Sequence, residues 1–285
     1  MDRPAVRARQ CIPSMDLISS PKNPRVKFLR SLRVRKYREE VGLFLAEGIR
    51  IVEEALDLEA PVETLVYAPD LLVSSRARAL VGRVDAERRL PLSAEVFRGL
   101  SDREDPQGVI AVVRIEERPL ASIPVTDALI VLVAHEIRDP GNLGSLIRTA
   151  DAAGASGLVV VGPSADVYDP QCVRATMGSL YALPIVRLDG EAALVRWFEQ
   201  IRALGLPLLV AGTSAHAERI HFDVDYRRPV CLLLGSERLG LPLSLRETAD
   251  VLVRLPMQGR ATSLNVSAAA AALVYEIVRQ RRAGF

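Results

Sequence analysis

Six short apolar runs, rich in β-branched residues, recur through the second half of the chain. They occupy 129–134, 157–161, 184–188, 206–211, 229–234 and 251–255. Each run is apolar throughout instead of alternating with polar residues, which predicts strands that are covered on both faces, as in a parallel sheet. Helices are predicted between them at 143–153, 171–181, 191–204 and 263–282, with Ser263 as the cap of the last. This half therefore predicts an α/β fold.

The first half has the same alternation on a smaller scale. Strand-like runs are found at 43–46, 64–68 and 109–115, and helix-like segments at 24–40, 48–58, 74–82 and 93–100. Residues 116–127 contain two prolines and no period, which is typical of a linker. We predict a disordered tail at 1–15, a small α/β domain at 16–115, the linker at 116–127 and a larger α/β domain at 128–285.

Three segments of the larger domain combine glycines with polar side chains next to an apolar helix or strand. They lie at 139–154, 232–242 and 255–271. Glycine lets backbone approach a ligand closely, so these segments are expected to form a binding site. No two of the 18 glycines are two residues apart, which excludes a G-x-G-x-x-G dinucleotide loop. The last lysine is Lys36, which excludes a phosphate loop that ends in Gly-Lys within these segments.

Together, the three segments resemble motifs 1, 2 and 3 of the SpoU/TrmH family, which are RNA ribose 2′-O-methyltransferases of the SPOUT superfamily. The matching residues are Asn142, Gly144, Arg148 and Gly154 in motif 1, Gly235, Glu237 and Gly240 in motif 2, and Pro256, Met257, Gly259 and 263–267 in motif 3. The resemblance implies S-adenosylmethionine as cofactor, a SPOUT domain with a deep trefoil knot, and a homodimer. Residues 44–56 and 100–113 look like the family's substrate-binding domain, which has a ribosomal-protein-like fold.

The resemblance also implies roles for individual residues. The catalytic set is Asn142, Arg148, Glu237, Ser263 and Asn265, and the cofactor-binding set is Thr213, Leu234, Gly235, Leu255, Met257 and Leu264. A guanidinium stays protonated in proteins, so we interpret Arg148 as a fixed cation beside the acceptor oxygen and not as a base. From the residues alone, Asn142 and Ser263 could equally be helix caps, and Glu237 could be a charge on a turn between glycines that pack against a ligand.

Basic residues are concentrated near the N-terminus. Residues 1–38 hold 11 of the 37 lysines and arginines but only Asp2 and Asp16 of the 35 acidic residues. Such a segment favours contact with a polyanion, although a solvated basic helix would have the same composition. The predicted RNA-binding residues are Lys22, Arg25, Lys27, Arg30, Arg33, Arg35, Lys36 and Arg38. Phosphate contacts position RNA without reading its bases. The resemblance favours rRNA over tRNA as the partner.

Several classes of protein are disfavoured. The apolar runs are too short to span a bilayer, and no signal peptide is evident, so we expect a cytoplasmic protein with no membrane contact. Three cysteines and three histidines at long spacings predict no metal site.

The alternatives to a ribose methyltransferase of rRNA are a tRNA ribose methyltransferase, a base methyltransferase of the same fold, and an RNA-binding or assembly factor without activity.

Overall fold

The structure of the chain, a computed structural model, describes residues 16–282. The predicted disordered tail at 1–15 lies outside the described residues. The N-terminal part contains α1 (Pro24–Ser31), α2 (Arg35–Val41), β1 (Leu43–Glu47), α3 (Ile49–Asp57), β2 (Val62–Tyr67), α4 (Ser75–Arg83), β3 (Arg89–Pro91), α5 (Ala94–Arg98) and β4 (Val109–Arg114). Its four strands form one sheet in the order β1-β4-β2-β3. Strand β4 is antiparallel to both β1 and β2, and β3 is parallel to β2.

The C-terminal part contains β5 (Ile130–His135), α6 (Pro140–Ala152), β6 (Gly157–Val161), α7 (Pro170–Thr176), β7 (Ile185–Leu188), α8 (Glu191–Ala203), β8 (Leu209–Thr213), β9 (Arg219–Ile220), β10 (Val230–Leu234), α9 (Leu243–Thr248), β11 (Val251–Arg254) and α10 (Val266–Arg282). Its seven strands have the order β7-β6-β5-β10-β8-β11-β9, and all of the pairings are parallel. The predicted α/β class and parallel sheet are therefore confirmed.

The strands of the larger sheet are covered on both faces, as their apolar composition predicts. Side chains of α6, α7 and α10 pack on one face, and those of α8 and α9 pack on the other. Strands β5, β6 and β10 are buried along their whole length. Burial on both faces explains why these runs lack the alternation of polar and apolar residues.

The structure corrects several predicted elements. The single helix predicted at 24–40 is two helices, because the chain turns at Leu32 and is extended at Val34. The helix predicted at 171–181 ends at Thr176, since Met177 takes a left-handed conformation with φ of 53°. Strands β3 and β9 and helix α9 are short elements that the sequence pattern did not predict.

The two sheets share no strand, but the two parts of the chain are packed together. One core cluster includes buried residues of α3, β1 and β4 together with those of β5, α6 and α10. The rings of Phe44 and Tyr168 lie 4.8 Å apart across this junction. We propose that the domains are 16–115 and 128–285, as the sequence indicates; the segment between them contains only a short 3-10 helix, Leu120–Ser122.

No helix within residues 16–282 has the length and apolar character that are needed to cross a lipid bilayer.

Candidate active site

Four parallel strands of the larger sheet bring the motif segments to one edge. Strands β5, β10, β8 and β11 are neighbours in that order, and their carboxyl ends point the same way. Motif 1 follows β5, motif 2 comprises the end of β10 and the loop after it, and motif 3 follows β11. In open α/β sheets, ligands bind in the crevice outside the carboxyl ends of the strands. This edge is therefore the candidate site.

Hydrogen bonds between side chains connect the three motifs. Asn142 donates from Nδ2 to the carboxylate of Glu237, which lies 95 residues further along the chain. Asn265 donates from Nδ2 to Oδ1 of Asn142 over 2.9 Å. The Oδ1 atom of Asn265 in turn accepts from the backbone N–H and the hydroxyl of Ser267. Both amide side chains thus have fixed orientations, and the structure brings Asn142, Glu237 and Asn265 together.

The helix caps differ from the expected ones. Asp139 caps α6, because its carboxylate accepts from the backbone N–H of Asn142 over 2.7 Å. The amide of Asn142 is therefore available to Glu237 and Asn265. Helix α10 begins at Val266, so Asn265 and not Ser263 provides the cap. Ser263 is exposed three residues before the helix and makes no side-chain hydrogen bond within residues 16–282.

Arg148 lies on α6, six residues after Asn142. Its side chain is exposed and makes no hydrogen bond or ion pair with any residue in the range 16–282. Unlike the two asparagines, it is not part of the hydrogen-bonded set. Its guanidinium is charged and has five N–H donors available to a ligand.

The residues assigned to the cofactor also lie at this edge. Thr213 ends β8 and donates from Oγ1 to the carbonyl of Leu233 over 2.9 Å, while Leu234 ends the neighbouring β10 and Gly235 follows it. Leu255 and Met257, both half-buried, follow β11, and Leu264 is 47% exposed. The side chains of this group are mostly apolar, so polar recognition of a ligand has to come from the backbone.

The segment 256–264 provides such backbone groups. None of its N–H and carbonyl groups has a hydrogen-bond partner within the described part of the chain, 16–282. Backbone polar groups need a partner, from the solvent or from a ligand. Unpaired backbone groups among apolar side chains fit S-adenosylmethionine, whose adenine and methionine parts offer both apolar surface and hydrogen-bonding atoms.

The geometry of its own loop requires a glycine at position 235. A Cβ at this position would lie 2.2 Å from the backbone carbon of Gly240. The loop closes through a hydrogen bond of 2.9 Å from the N–H of Gly240 to the carbonyl of Ser236. Gly240 has φ of +66°, which other residues rarely adopt. These two glycines hold a tight turn that presents Glu237.

With this geometry in view, the comparisons with known proteins identify the family. Residues 129–275 match the SpoU rRNA Methylase family, and residues 23–111 match the MRM3-like substrate binding domain. The chain belongs to the SpoU rRNA methylase family. The resemblance to this family that the three motifs indicate is therefore confirmed.

Curated members of this family cover nearly the whole chain. A 23S rRNA (uridine(2479)-2′-O)-methyltransferase of Streptomyces viridochromogenes is 40% identical over 88% of this chain and 87% of its own length. The 23S rRNA (guanosine(2553)-2′-O)-methyltransferase RlmP of Bacillus subtilis is 33% identical over 92% of this chain and 99% of its own. The relatives are thus enzymes that methylate rRNA.

Solved structures of the family have the same fold. The SpoU methyltransferase AviRb of Streptomyces viridochromogenes, in complex with AdoMet, has a TM-score of 0.85 at 38% identity and covers 92% of this chain and 100% of its own. An AdoMet-bound rRNA methyltransferase of Sinorhizobium meliloti has a TM-score of 0.80 at 37% identity, covering 93% and 97% of the two chains. S-adenosylmethionine is therefore the cofactor of the family.

The predicted RNA-binding residues of this SpoU family member fall into three groups. Among these predicted residues, Lys22, Arg25, Lys27 and Lys36 are exposed and make no ion pair with any residue in the range 16–282. Arg33 and Arg35 are exposed but paired, with Asp102 and Glu39 respectively, and Arg30 donates to a backbone carbonyl. Of the predicted residues, the first group is therefore the most available to an anion.

The structure corrects the prediction that Arg38 binds RNA, because this residue is buried and not available to RNA. The residue is 1% exposed, and its side chain donates from Nε and Nη2 to one carboxylate oxygen of Asp166, over 3.0 and 2.6 Å. Its Nη1 donates to the carbonyls of Leu32 and Arg33, where α1 ends and the chain turns towards α2. Arg38 thus docks the substrate-binding domain on the methyltransferase domain. Its partner is 128 residues away, so the local pattern did not show this.

His135 makes a contact near the candidate site that the sequence interpretation missed. It is buried at the carboxyl end of β5, directly before motif 1. Its Nε2 lies 3.1 Å from Oε1 of Glu191, whose other carboxylate oxygen accepts from Ser244 of α9. These contacts connect the start of motif 1 to the helix that follows motif 2. The sequence signal was a histidine at the end of an otherwise apolar run.

Proposed function

We propose that this chain transfers a methyl group from S-adenosylmethionine to the 2′-hydroxyl of a ribose in 23S rRNA. The observation that carries the proposal is the hydrogen-bonded set of Asn142, Glu237 and Asn265. It lies at the sheet edge where segment 256–264 leaves its backbone groups unpaired. Family membership and the 23S rRNA methyltransferases among the relatives support rRNA as the substrate.

The reaction needs precise placement of two atoms. When bound, S-adenosylmethionine supplies an electrophilic methyl group on a sulfonium. We assign its binding to the backbone of 256–264 and to Thr213, Leu234 and Gly235, which end two adjacent strands. Holding the 2′-oxygen in line with the methyl carbon lowers the entropic part of the barrier. We assign this task to Asn142 and Asn265, because their amides are fixed by hydrogen bonds.

As the oxygen–carbon bond forms, the carbon–sulfur bond of the sulfonium breaks to leave a neutral thioether, and the proton of the 2′-hydroxyl passes to the solvent, so negative charge develops on the 2′-oxygen. Arg148 is permanently charged and exposed on the helix that carries Asn142, so its guanidinium is suited to stabilise that oxygen and to hold an adjacent phosphate. Glu237 orients Asn142 and thereby acts as a positioning residue. Ser263, exposed beside this set, is assigned to the ribose or its phosphate.

The proposal includes a homodimer, a trefoil knot in 128–285 and a cytoplasmic location. Large apolar side chains near motif 2 support association, since Leu239 and Leu243 are 83% and 67% exposed. Family membership supports the knot, and an rRNA substrate supports the cytoplasm. Sedimentation of the purified chain tests the dimer. A monomer at micromolar concentration would contradict it.

Mapping of methylated nucleotides in a deletion strain tests the proposed function. The expected result is that one ribose methyl group is missing from 23S rRNA and returns with the intact gene but not with an Arg148→Ala gene. A ribose methyl group missing from tRNA instead would identify tRNA as the substrate. A missing base methyl group would show that the enzyme methylates a base and not a ribose. Unchanged rRNA and tRNA would favour an assembly factor without activity.

A further inference from the structure

A narrow groove separates the substrate-binding domain from helix α7 of the methyltransferase domain. Its polar walls come from both domains and include Arg33, Glu47, Asp102, Arg103 and Arg174, while Leu45, Leu100 and Ile110 form an apolar floor. Arg103 lies in the loop before β4, and Arg174 lies on α7. The groove is therefore built by segments that only the docking of the two domains brings together.

Two guanidinium groups in this groove have no partner among residues 16–282. Arg33 is paired with Asp102, and Glu47 accepts a hydrogen bond from Ser101. The side chains of Arg103 and Arg174 are half-buried, yet they make no ion pair or hydrogen bond within the described residues 16–282. A guanidinium is always charged and has five donors, so a partly desolvated, unpaired one is stabilised by an anion.

The nearby carboxylates do not supply that anion. Asp169 caps α7 by accepting from the N–H of Gln171 over 2.9 Å, and it also lies 4.0 Å from Arg38. Asp139 caps α6 in the same way. One oxygen of each carboxylate is engaged by a backbone donor, and neither residue lines the groove. Arg103 and Arg174 therefore remain available to an external ligand.

Helix α7 lies between the groove and the first turn of α6. Gln171 precedes Arg174 by three residues on α7, so the two side chains lie on one face of the helix. A Cβ at Gly141 would lie 3.3 Å from Nε2 of Gln171, and Gly141 is next to Asn142 in the first turn of α6. At its other end the groove begins at Arg33, directly after the basic helix α1. One line of polar groups thus connects the basic surface to Asn142.

We propose that a strand of the RNA substrate follows this groove, with phosphates held by Arg103 and Arg174, and so brings the target ribose to Asn142 and Arg148. The inference rests on the proposed function and adds two positioning residues to it. Its two free cations come from different domains, so a phosphodiester backbone that contacts both has to cross the junction between the domains. The docking of the domains by Arg38 and Asp166 then sets the distance between bound phosphates and reacting ribose.

The test compares Arg103→Gln, Arg174→Gln and the double variant with the wild-type enzyme. The probe is 23S rRNA transcribed in vitro from the same genome, and the measurements are RNA affinity at several salt concentrations and methyl transfer from labelled S-adenosylmethionine. Loss of one phosphate contact lowers the salt slope by about 0.7 to 0.9, which corresponds to about five- to eightfold weaker binding at 0.1 M salt, taken from a 1 M reference. The affinity for S-adenosylmethionine is expected to stay unchanged, because neither arginine lies among the residues assigned to the cofactor.

Matched variants separate charge from structure. Arg103→Lys and Arg174→Lys retain the charge and are expected to keep a salt slope near that of the wild type. Arg196→Gln removes an exposed cation of α8, on the opposite face of the sheet, and is expected to have no effect. If Arg196→Gln weakens RNA binding as much as the groove variants do, the groove has no special role and the proposal fails.

The remaining outcomes are equally decisive. An active wild-type enzyme with a double variant of unchanged RNA affinity and salt slope overturns the groove alone. Parallel loss of cofactor binding in the variants shows a structural role for these arginines and also overturns it. A wild-type enzyme that transfers no methyl group to the transcript overturns the proposed function itself.

Discussion

Asn265 donates a hydrogen bond of 2.9 Å from its side-chain amide to Oδ1 of Asn142, 123 residues earlier in the chain. The contact joins the segment before α10 to the first turn of α6, and Glu237 completes the set by accepting from Asn142. In each asparagine, Oδ1 and one N–H of the side-chain amide are engaged by protein groups. The resulting rigid arrangement is what positions an acceptor oxygen for displacement at carbon.

Removal of this contact is expected to affect catalysis more than folding. We expect Asn142→Ala and Asn265→Ala each to lower kcat by about 10²-fold, as the loss of one positioned polar group does in other sites, with unchanged cofactor affinity. The double variant should lose less than the product of the two, because the residues act as a unit. Single-turnover methylation measures this. Gln200→Ala on α8 is the control, and full additivity would contradict a shared role.

Arg148 is expected to require its guanidinium. We expect Arg148→Ala to lower kcat by about 10²- to 10³-fold and Arg148→Lys to restore only part of that loss, since an ammonium lacks the planar pair of donors. The pH–rate profile of Arg148→Lys is the decisive measurement. Full activity with an unshifted profile would show that the guanidinium has no specific role. Arg196→Ala is the matched control for loss of an exposed arginine.

Gly235→Ala is expected to displace the turn that presents Glu237. The added Cβ would lie 2.2 Å from the backbone of Gly240, so the backbone must move. We expect at least about a tenfold loss of activity, because misplacement by about 1 Å is costly for a positioned group. Gly190→Ala is the control, since nothing lies within 4 Å of a Cβ there and its φ of −157° suits any residue. Equal effects of both substitutions would refute the steric explanation.

Arg38→Met is expected to destabilise the protein strongly. It leaves the carboxylate of Asp166, which is 8% exposed, buried without its cation, at a cost of about 3 to 5 kcal/mol in the free energy of unfolding. Arg35→Met breaks the exposed pair with Glu39 and should cost about 1 kcal/mol or less. Urea unfolding measures both. Similar values for the two variants would show that burial of the Arg38 pair has no energetic consequence.

His221 is expected to make stability depend on pH in mildly acidic solution. It is fully buried, and burial lowers its pKa below the usual value, opposed by the nearby Glu276 carboxylate. Hydrogen bonding by Arg279 lowers the pKa of Glu276 to about 2, so that group stays ionised above pH 5. Below about pH 6.5 the unfolded chain binds a proton at His221 that the folded chain does not. The contribution of neutral His221 to the free energy of unfolding is therefore present above this pH. It is lost as the pH falls towards the pKa of His221 in the folded chain.

The measurement is the free energy of unfolding of wild type and His221→Asn between pH 7.5 and 5.5. The wild type is expected to lose stability with a slope of up to about 1.4 kcal/mol per pH unit that the variant lacks. His216→Asn is the control, because His216 is exposed. Parallel curves for all three proteins would refute a role for His221.

The amino-acid sequence by itself determined the succession of strands and helices, the parallel sheet and the family. Apolar runs separated by helix-length segments indicate buried strands from neighbouring residues alone. The three motifs can likewise be read from the sequence without knowledge of their tertiary contacts. Tertiary structure alone decided that Arg38 is a buried ion pair and not an RNA contact, that Gly235 faces its own loop, and that Arg103 and Arg174 share a groove. Each of these depends on which distant segment lies opposite a side chain, and local pattern carries no information about that.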